Sequence, residues 1–569
     1  MTDLFSIFIR WFAALYPWEV ETSDELAESL SFINADYEPQ DVVRAGLGAG
    51  MVTFLLSSVM LFTTLPLFGS VGLMVIFSLA VVHFVHTTPN VLAAFGRTEA
   101  LGQSPNLIGR IVLRMQIQPA TETAVQFAAE TGNGRLSENL SYHIDRAMGT
   151  HRTGLTGFAD EWGDEFPAVR RAAHLLVTAQ DAPDAQRSQT LDRALTAMLD
   201  GTRDQMSRFT ESIRAPSMML YAFGVMVPLA LVGLVPAASL ADITITVDAF
   251  VILYIFVLPA ALTSVSVWIL IRRPVAFPPP DISWDHPDVP DRKWPPFVIG
   301  LAAGAVGYTG TVVLGVGFLA PISAVGIGLG MALYLLYRPI EAVRRHTRAV
   351  EEHLVDALYI IGRQVTENEA VESAIALTGK RVPGETGEVF KRAAEVQHQL
   401  HITVEDAFLG EYGALNNIPS PRAHGTASLL SIAADEGQPA GHAIVEMANH
   451  LDDLKDVERQ TRRELSQVTG TLQNTATVFA PLVAGATIGL AEIMSSEGVA
   501  LIDMGDLPTE ALGLIIGVYI LILSILLTAL SIGLQHGLDR SLVGYRVGKT
   551  LLVSVPIYVI SVFSIGLII

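Results

Sequence analysis

Long apolar runs alternate with polar stretches along the chain. Nine runs of about 20 nearly uncharged residues are each long enough to cross a hydrocarbon core of roughly 30 Å as a single helix. They cover residues 45–65, 67–88, 217–238, 249–271, 297–317, 319–338, 475–494, 511–534 and 550–569. The closely spaced pairs, 45–88 and 297–338, have an alternative interpretation in which one crossing is followed by a re-entrant segment.

Two long polar segments, residues 89–216 and 339–474, lie between the apolar runs. Apolar residues recur in both at a spacing of three or four, and Gly and Pro stand between the periodic stretches. Each segment is therefore predicted to be a small antiparallel helical bundle. We call them the first and second helical domains, and we expect an all-α, polytopic membrane protein.

The remaining parts of the chain follow from this division. Residues 1–44 form an N-terminal segment in which Phe5, Phe8, Ile9, Phe12 and Tyr16 share one helical face, which predicts an interfacial helix lying on the membrane. This segment lacks the basic start and cleavage site of a signal peptide. The other predicted parts are membrane pairs at 45–88, 217–271 and 297–338, a Pro-rich linker at 272–296, and three C-terminal spans within 475–569.

Composition narrows the class of protein further. Half of the 569 residues are apolar, the net charge is −21, and only 5 of the 36 basic residues are lysine. Strong acidity with little lysine is the surface chemistry expected in molar salt, so we infer a halophilic archaeon. The chain has no cysteine, which excludes disulfides, thiol catalysis and thiolate metal sites.

The basic residues predict the orientation. If the N-terminus is cytoplasmic and the chain crosses nine times, all the lysines and arginines lie on the inner side or at its membrane edge. The predicted outer stretches 239–248 and 495–510 carry only acids. This pattern obeys the positive-inside rule and favours two crossings for each close pair. Both helical domains are then cytoplasmic, and the C-terminus lies at the outer face.

A short motif occurs once in each helical domain. FADEWG (158–163) and FLGEYG (408–413) share the pattern Phe-x-x-Glu-aromatic-Gly, and two further pairs of matches occur in the same order at offsets of about 250 residues. One pair is AV…TG, at 124–132 and 370–379; the other is Pro-Leu, at Pro228 and Pro481 in the following spans. This predicts duplication of a unit made of one bundle and the span after it.

The motif residues are expected to have structural roles. Phe158, Trp162, Phe408 and Tyr412 fit core anchors at i and i+4 spacing. Gly163 and Gly413 fit helix ends that require a left-handed backbone. The alternative is that Glu161 and Glu411 contact a partner.

The duplicated domain, the motif and the membrane prolines together resemble the type II secretion F family. Its members are the platform proteins of type II secretion systems, type IV pili and the archaellum, and this chain is most similar to the archaeal branch. The resemblance implies a membrane platform at the base of a filament, driven by a hexameric secretion-type ATPase and assembling pilin-like or archaellin-like subunits. Membrane lipids and a second copy of the chain, as a homodimer, are the other expected partners; no nucleic acid is expected.

No pattern in the sequence supports an enzyme or a cofactor. GYRVGKT (544–550) has one residue too few between its glycines for a phosphate-binding loop, and it is predicted to be a basic membrane anchor. GLGAG (46–50) and GIGLG (326–330) lie within spans and are predicted to be helix-packing surfaces. His398 and His401 share a helix face but lack a third convergent ligand.

The alternative function is that of a secondary transporter, or of another polytopic membrane protein with cytoplasmic regulatory domains. Pro228, Pro259, Pro321 and Pro481 could unwind spans at a substrate site. However, the spans hold few ionisable groups, and proline more often marks a kink.

Exposed basic clusters are the predicted docking sites for the ATPase, since an acidic partner would find them selectively on an acidic chain. The competing interpretation is that each cation pairs with a Glu on its own helix, as Glu458 would with Arg462. The candidates are Arg170, Arg171, Arg344, Arg345, Arg348, Lys380, Arg381, Lys391, Arg392, Arg459, Arg462 and Arg463.

Overall fold

The computed structural model describes residues 2–58, 67–132, 134–148, 153–234, 246–273, 282–436, 440–496 and 509–568. Every regular element within these residues is a helix, and none is a strand, so the all-α prediction is confirmed. The predicted outer stretches lie largely outside the described residues, which exclude 235–245 and 497–508.

The helices are numbered α1 to α24 in chain order. The first thirteen are α1 Thr2–Ala13, α2 Asp24–Phe32, α3 Pro39–Leu56, α4 Leu67–Gly102, α5 Ser104–Ile117, α6 Thr121–Thr131, α7 Arg135–Ala147, α8 Gly154–Trp162, α9 Pro167–Gln180, α10 Asp184–Tyr221, α11 Val227–Gly233, α12 Val247–Val251 and α13 Leu258–Ile271. The others are α14 Pro295–Val313, α15 Ala320–Glu352, α16 Leu354–Thr366, α17 Val371–Arg381, α18 Gly384–Leu400, α19 Val404–Leu409, α20 Pro421–Glu436, α21 Ala440–Asn474, α22 Ala480–Ser496, α23 Thr509–His536 and α24 Arg540–Ile568.

Eight helical stretches of the described residues are long and apolar enough to cross a membrane, which fits a multi-pass membrane protein. They are Met74–Gln116, Gln186–Gly233, Val247–Ile271, Pro295–Val313, Gly317–Thr366, Ala440–Ala491, Glu510–His536 and Arg540–Ile565. The remaining predicted span, 45–65, is the first in chain order. It begins within α3 but continues beyond the described residues, which break off at 58. A count of nine therefore stays a prediction.

Several of these stretches are much longer than a bilayer is thick. The predicted span 319–338 is part of α15, which continues to Glu352 in the second helical domain. Likewise, the stretch Ala440–Ala491 runs from a charged segment into the apolar residues 475–491 without leaving helical geometry. The polar and apolar parts of the chain are thus joined by continuous helices.

A π-helical turn precedes a proline at three places. The turns are Ala222–Met226 before Pro228, Ile252–Val257 before Pro259, and Thr475–Phe479 before Pro481. Proline has no N–H to donate and its ring collides with the carbonyl one turn earlier, so a local widening of the helix relieves both problems. These prolines lie in helices that continue on both sides, so they adjust the helix rather than end it.

The two helical domains contain helices in the same order. The five helices α5 to α9 are followed by the long α10, and α16 to α20 are followed by the long α21. Each long helix then passes through a π turn into the proline-containing apolar helix, α11 or α22. This parallel agrees with the duplication, which stays a prediction.

The helices divide by their contacts into two compact units. One consists of Met1–Glu99, Ala230–Arg273 and Ala491–Tyr519. The other consists of Ala100–Leu229, Pro274–Leu490 and Ile520–Ile569, and it includes most of both helical domains.

The N-terminal helices of the first unit have a small core of their own. It corrects the prediction that the face of Phe8, Ile9 and Phe12 lies on the membrane. Ile9 is fully buried in this core, and Phe8 and Phe12 pack against it. These residues therefore face protein, because α1 lies across α3, where Gly48 closely approaches the backbone of Phe12. The outward face of α1 carries Ile7 and Trp11 instead.

Glycines bring three helices of the second unit close together. A Cβ on Gly304 of α14 would lie 2.6 Å from the carbonyl oxygen of Ala324 in α15. On other faces of α15, Gly326 contacts Val555, and Gly330 contacts the backbone of Gly548 in α24. The packing role of GIGLG is thus confirmed. GYRVGKT is a helical segment at the start of α24, not a loop.

Alanine at Gly304 tests the close approach of α14 to α15. We expect Gly304→Ala to destabilise the protein by about 1–3 kcal/mol, because the added methyl group meets backbone that cannot move aside. Gly310→Ala is the matched control on the same helix, since nothing lies within 4 Å of its Cβ position. Thermal unfolding in detergent measures both variants, and equal midpoints would contradict this packing.

Candidate functional site

The motif of the first domain joins α8 to α7. Phe158 is fully buried and Trp162 is buried, as predicted. The Trp162 indole N–H donates to the Asn139 side-chain oxygen at 2.9 Å, and the Asn139 amide donates to Glu161 at 3.2 Å. Glu161 also contacts the His143 imidazole at 2.7 Å. These bonds hold α8 on its neighbour, which is a structural role.

The motif of the second domain differs in its aromatic residue. Phe408 is buried against Phe390, with ring centroids 5.4 Å apart. Tyr412 is 68% exposed, so its prediction as a core anchor is wrong. The reason is that α19 ends at Leu409, and the i and i+4 relation holds only within a continuous helix. Glu411 is exposed, and no described contact brings it to Glu161.

The two motif glycines are required for close approach rather than for a left-handed backbone. Gly163 has φ −71°, and Gly413 is not among the residues with positive φ, so that prediction is wrong. A Cβ on Gly163 would lie 2.4 Å from the Ala159 carbonyl oxygen, and one on Gly413 would lie 2.5 Å from that of Phe408. Any larger residue would collide with the preceding helix.

The predicted docking cations fall into three groups. Those paired with a nearby carboxylate are Arg170 with Asp164, Arg348 with Glu341, Lys391 with Glu388, Arg459 with Asp456, and Arg462 with Glu458. Those exposed and without an ion pair among the described residues are Arg171, Arg345, Lys380, Arg381, Arg392 and Arg463. Arg344 stands alone in the third group.

Arg344 is completely buried, which excludes it as an exposed docking residue. Its guanidinium donates to Glu341 at 3.1 Å, to Asp539 at 2.8 Å and to the Ser541 hydroxyl at 3.0 Å. Asp539 also accepts from the backbone N–H of Leu542 at 2.8 Å, so it caps the start of α24. The network therefore ties α15 to the turn between α23 and α24.

A second, partly buried network was missed by sequence reasoning. Arg422, at the start of α20, lies 2.8 Å from Glu458 on α21 and 3.6 Å from Glu351 on α15. Glu351 also accepts from the Ser420 hydroxyl at 2.5 Å, and Glu458 binds Arg462 at 2.5 Å. The residues come from three helices that are far apart in sequence, so no local pattern could have assembled them.

Electrostatics strengthens this second network. Burial by itself would lower the pKa of the Arg422 guanidinium, but the carboxylates of Glu458 and Glu351 outweigh burial and hold that pKa above its usual value. Arg422 therefore stays charged, and the network fixes α20 and α21 to α15.

Basic residues of α15 and α21 gather beside the two networks. Arg348 and Arg462, which are 114 positions apart, are close enough to interact electrostatically. Arg345 and Arg463, which are exposed and lie close to them along the same helices, complete the set that we call the stem cluster. Arg348 lies ten residues after the predicted span 319–338, which is about 15 Å along a helix. Arg462 lies thirteen residues before the predicted span 475–494, which is about 20 Å. The cluster is thus well separated from the predicted membrane edge.

Comparison of the chain with models of known protein families, with curated proteins and with solved structures finds no match. The function must therefore be inferred from the residues and contacts described above.

Arg344 and Arg345 form a matched pair for testing the buried network. We expect Arg344→Met to destabilise the protein by about 3–5 kcal/mol, because Asp539 would lose its ion-pair partner and Glu341 would keep only the more distant Arg348. Arg345→Met, one residue later on an exposed position, should change stability by no more than about 0.5 kcal/mol. Denaturant titration in detergent micelles measures the free energy of unfolding of both variants. A loss for Arg344→Met no larger than that for Arg345→Met would show that the network contributes little.

Proposed function

We propose that this protein is the membrane platform of an archaeal type IV pilus-like machine. In that role it anchors the filament base and couples a cytoplasmic secretion-type ATPase to the assembly of filament subunits. The observation that carries the proposal is a feature shared by the long helices α10 and α21. Each runs from a polar bundle through a π turn and a proline into an apolar helix, at positions 222–228 and 475–481.

The order of the helices supports the same proposal. A machine that converts motion of a cytoplasmic motor into movement within a bilayer needs a large polar part that is firmly joined to apolar helices. Here α15 and α21 are rods that extend from the second helical domain into apolar segments, and no loop lies within either rod. Displacement of the domain would therefore reach the spans directly.

The two charge networks join α15 to its neighbours and to α21. Arg344 links α15 to the turn between the last two apolar helices, and Arg422 links α15 to α21. In the proposed mechanism the ATPase turns or lifts the domain, and the networks carry the displacement to α22, α23 and α24. The π turn at Thr475–Phe479, where the helical ladder is locally widened, is the place at which we expect α21 to bend relative to α22.

The stem cluster is the proposed binding site for the ATPase. It lies on the two rods, so force applied there takes the shortest route to the membrane. Its exposed cations would attract an acidic surface of the ATPase, and they stand out on a chain with a net charge of −21. With the proposed orientation, both helical domains and the N-terminus face the cytoplasm.

Reversal of two unpaired cations tests the docking site without disturbing either network. We expect the double variant Arg345→Glu, Arg463→Glu to weaken ATPase binding by about tenfold or more in a pull-down at low salt, because rim charges govern electrostatic association. Filament assembly should fall with it.

The matched control is Arg381→Glu, Arg392→Glu, which makes the same change in charge at two exposed, unpaired docking candidates of the second domain that lie outside the stem cluster. Binding should be nearly unchanged in this variant. Equal weakening in both would mean that net charge matters rather than the stem cluster, and no weakening in either would exclude electrostatic docking there.

Deletion of the gene separates a platform from a transporter. A platform should be needed for surface filaments, with no change in the uptake of solutes. Electron microscopy of the cells and uptake assays measure the two outcomes. Normal filaments together with a substrate-specific uptake defect would overturn the platform proposal.

A further inference from the structure

A small cavity of about 60 Å³ lies between the two helical domains within the second unit. Helix α5 of the first domain forms one wall, and α20 and α21 of the second domain form the other. Gly109 and Gly425 stand on opposite walls, close to the side chains of His450 and Arg110 respectively. Because neither glycine carries a side chain, the helices can approach while room remains between them.

The polar lining of the cavity consists of hydrogen-bond donors and a hydroxyl group. It is formed by Asn106, Arg110, Arg422, Thr426 and His450, and the rest of the lining has no carboxylate. Such a lining is suited to an anion and unsuited to a metal cation.

The charge of Arg110 is the first reason to expect a ligand. Its guanidinium donates to the carbonyl oxygens of Thr131 and Pro421, but no carboxylate pairs with it among the described residues. Arg422, in contrast, is balanced by Glu351 and Glu458. A partly buried guanidinium with only carbonyl partners lacks a counter-charge, and an anion would supply one.

The imidazole of His450 is the second reason. The residue is only 4% exposed, and its Nδ1 atom has no hydrogen-bond partner among the described residues. The Nε2 edge of the ring lies against Gly109, where a Cβ would come within 2.1 Å. Nδ1 is thus a buried polar atom on a ring that lines the cavity, and buried polar atoms normally have a partner.

The size of the cavity limits the ligand. One water needs about 10–15 Å³ of such space, so the cavity has room for several waters or for one tetrahedral oxyanion. Guanidinium groups are the side chains best suited to phosphate-like oxygens, since they donate in a planar fork. An amide, a hydroxyl and an imidazole would complete the coordination.

We propose that this cavity binds one small inorganic oxyanion of the phosphate class, held by Arg110, Asn106 and His450. Since these residues come from both helical domains, the anion joins α5 to α21 and stabilises the contact between the domains. This inference is independent of the proposed platform function, because it rests only on the cavity and its lining.

Binding of inorganic phosphate to the full-length protein in detergent tests the proposal. Isothermal titration at constant ionic strength, with gluconate as the balancing anion, should give one saturable site per chain. Phosphate should also raise the midpoint of thermal unfolding. Arg110→Gln should weaken binding by about tenfold or more, because a charge-assisted hydrogen bond is lost. Arg171→Gln, an exposed position in the first domain, is the control and should bind as the unaltered protein does.

Three results would overturn the proposal. The first is no saturable phosphate binding by the folded protein, which would mean that water fills the cavity. The second is unchanged binding by Arg110→Gln. The third is saturable binding of chloride but not phosphate, which would exclude an oxyanion. If Arg110→Gln does not fold, Asn106→Ala and His450→Gln decide the matter, and unchanged binding by both would place any phosphate elsewhere.

Discussion

Backbone hydrogen bonds that cannot be left unmade in a bilayer determine most of this structure. An apolar segment has no water to satisfy its N–H and C=O groups, so it must stay helical along its whole length. In this chain the helices do not stop where polarity begins; α15 and α21 continue far into the second helical domain. The same constraint explains the π turns, which keep the helix continuous where proline removes a donor.

Two long helices that only touch can slide past each other. Interactions between side chains must therefore hold them in place. Here the ion pairs of Arg344 join α15 to the start of α24, and those of Arg422 join α15 and α21 through α20. Removing Arg344 would leave Asp539 without its ion-pair partner, so loss of the first network is expected to be strongly destabilising. Glu458 connects the second network with the stem cluster through Arg462. The proposed site of motor contact is therefore attached directly to this network.

Predictions from the sequence succeeded where the relevant physics is local. Phe158 and Trp162 lie within one helix, so their spacing correctly predicted a shared buried face. Tyr412 follows the end of a six-residue helix, and the same spacing failed there. Position 163 was predicted to need glycine for a left-handed backbone. The structure shows instead that a carbonyl oxygen lies too close for a side chain, and spacing along the chain does not reveal such a contact.

The sequence by itself determined the helical class and the apolar stretches. Each of these follows from interactions within a few residues along the chain, or between the chain and its solvent. Only the tertiary structure decided between Arg344 and Arg345, adjacent residues of the same type. One of them meets Asp539, 195 positions later, and is buried; the other meets none of the described carboxylates and stays exposed. That choice depends on which face of α15 packs against α24, and no local pattern contains this information.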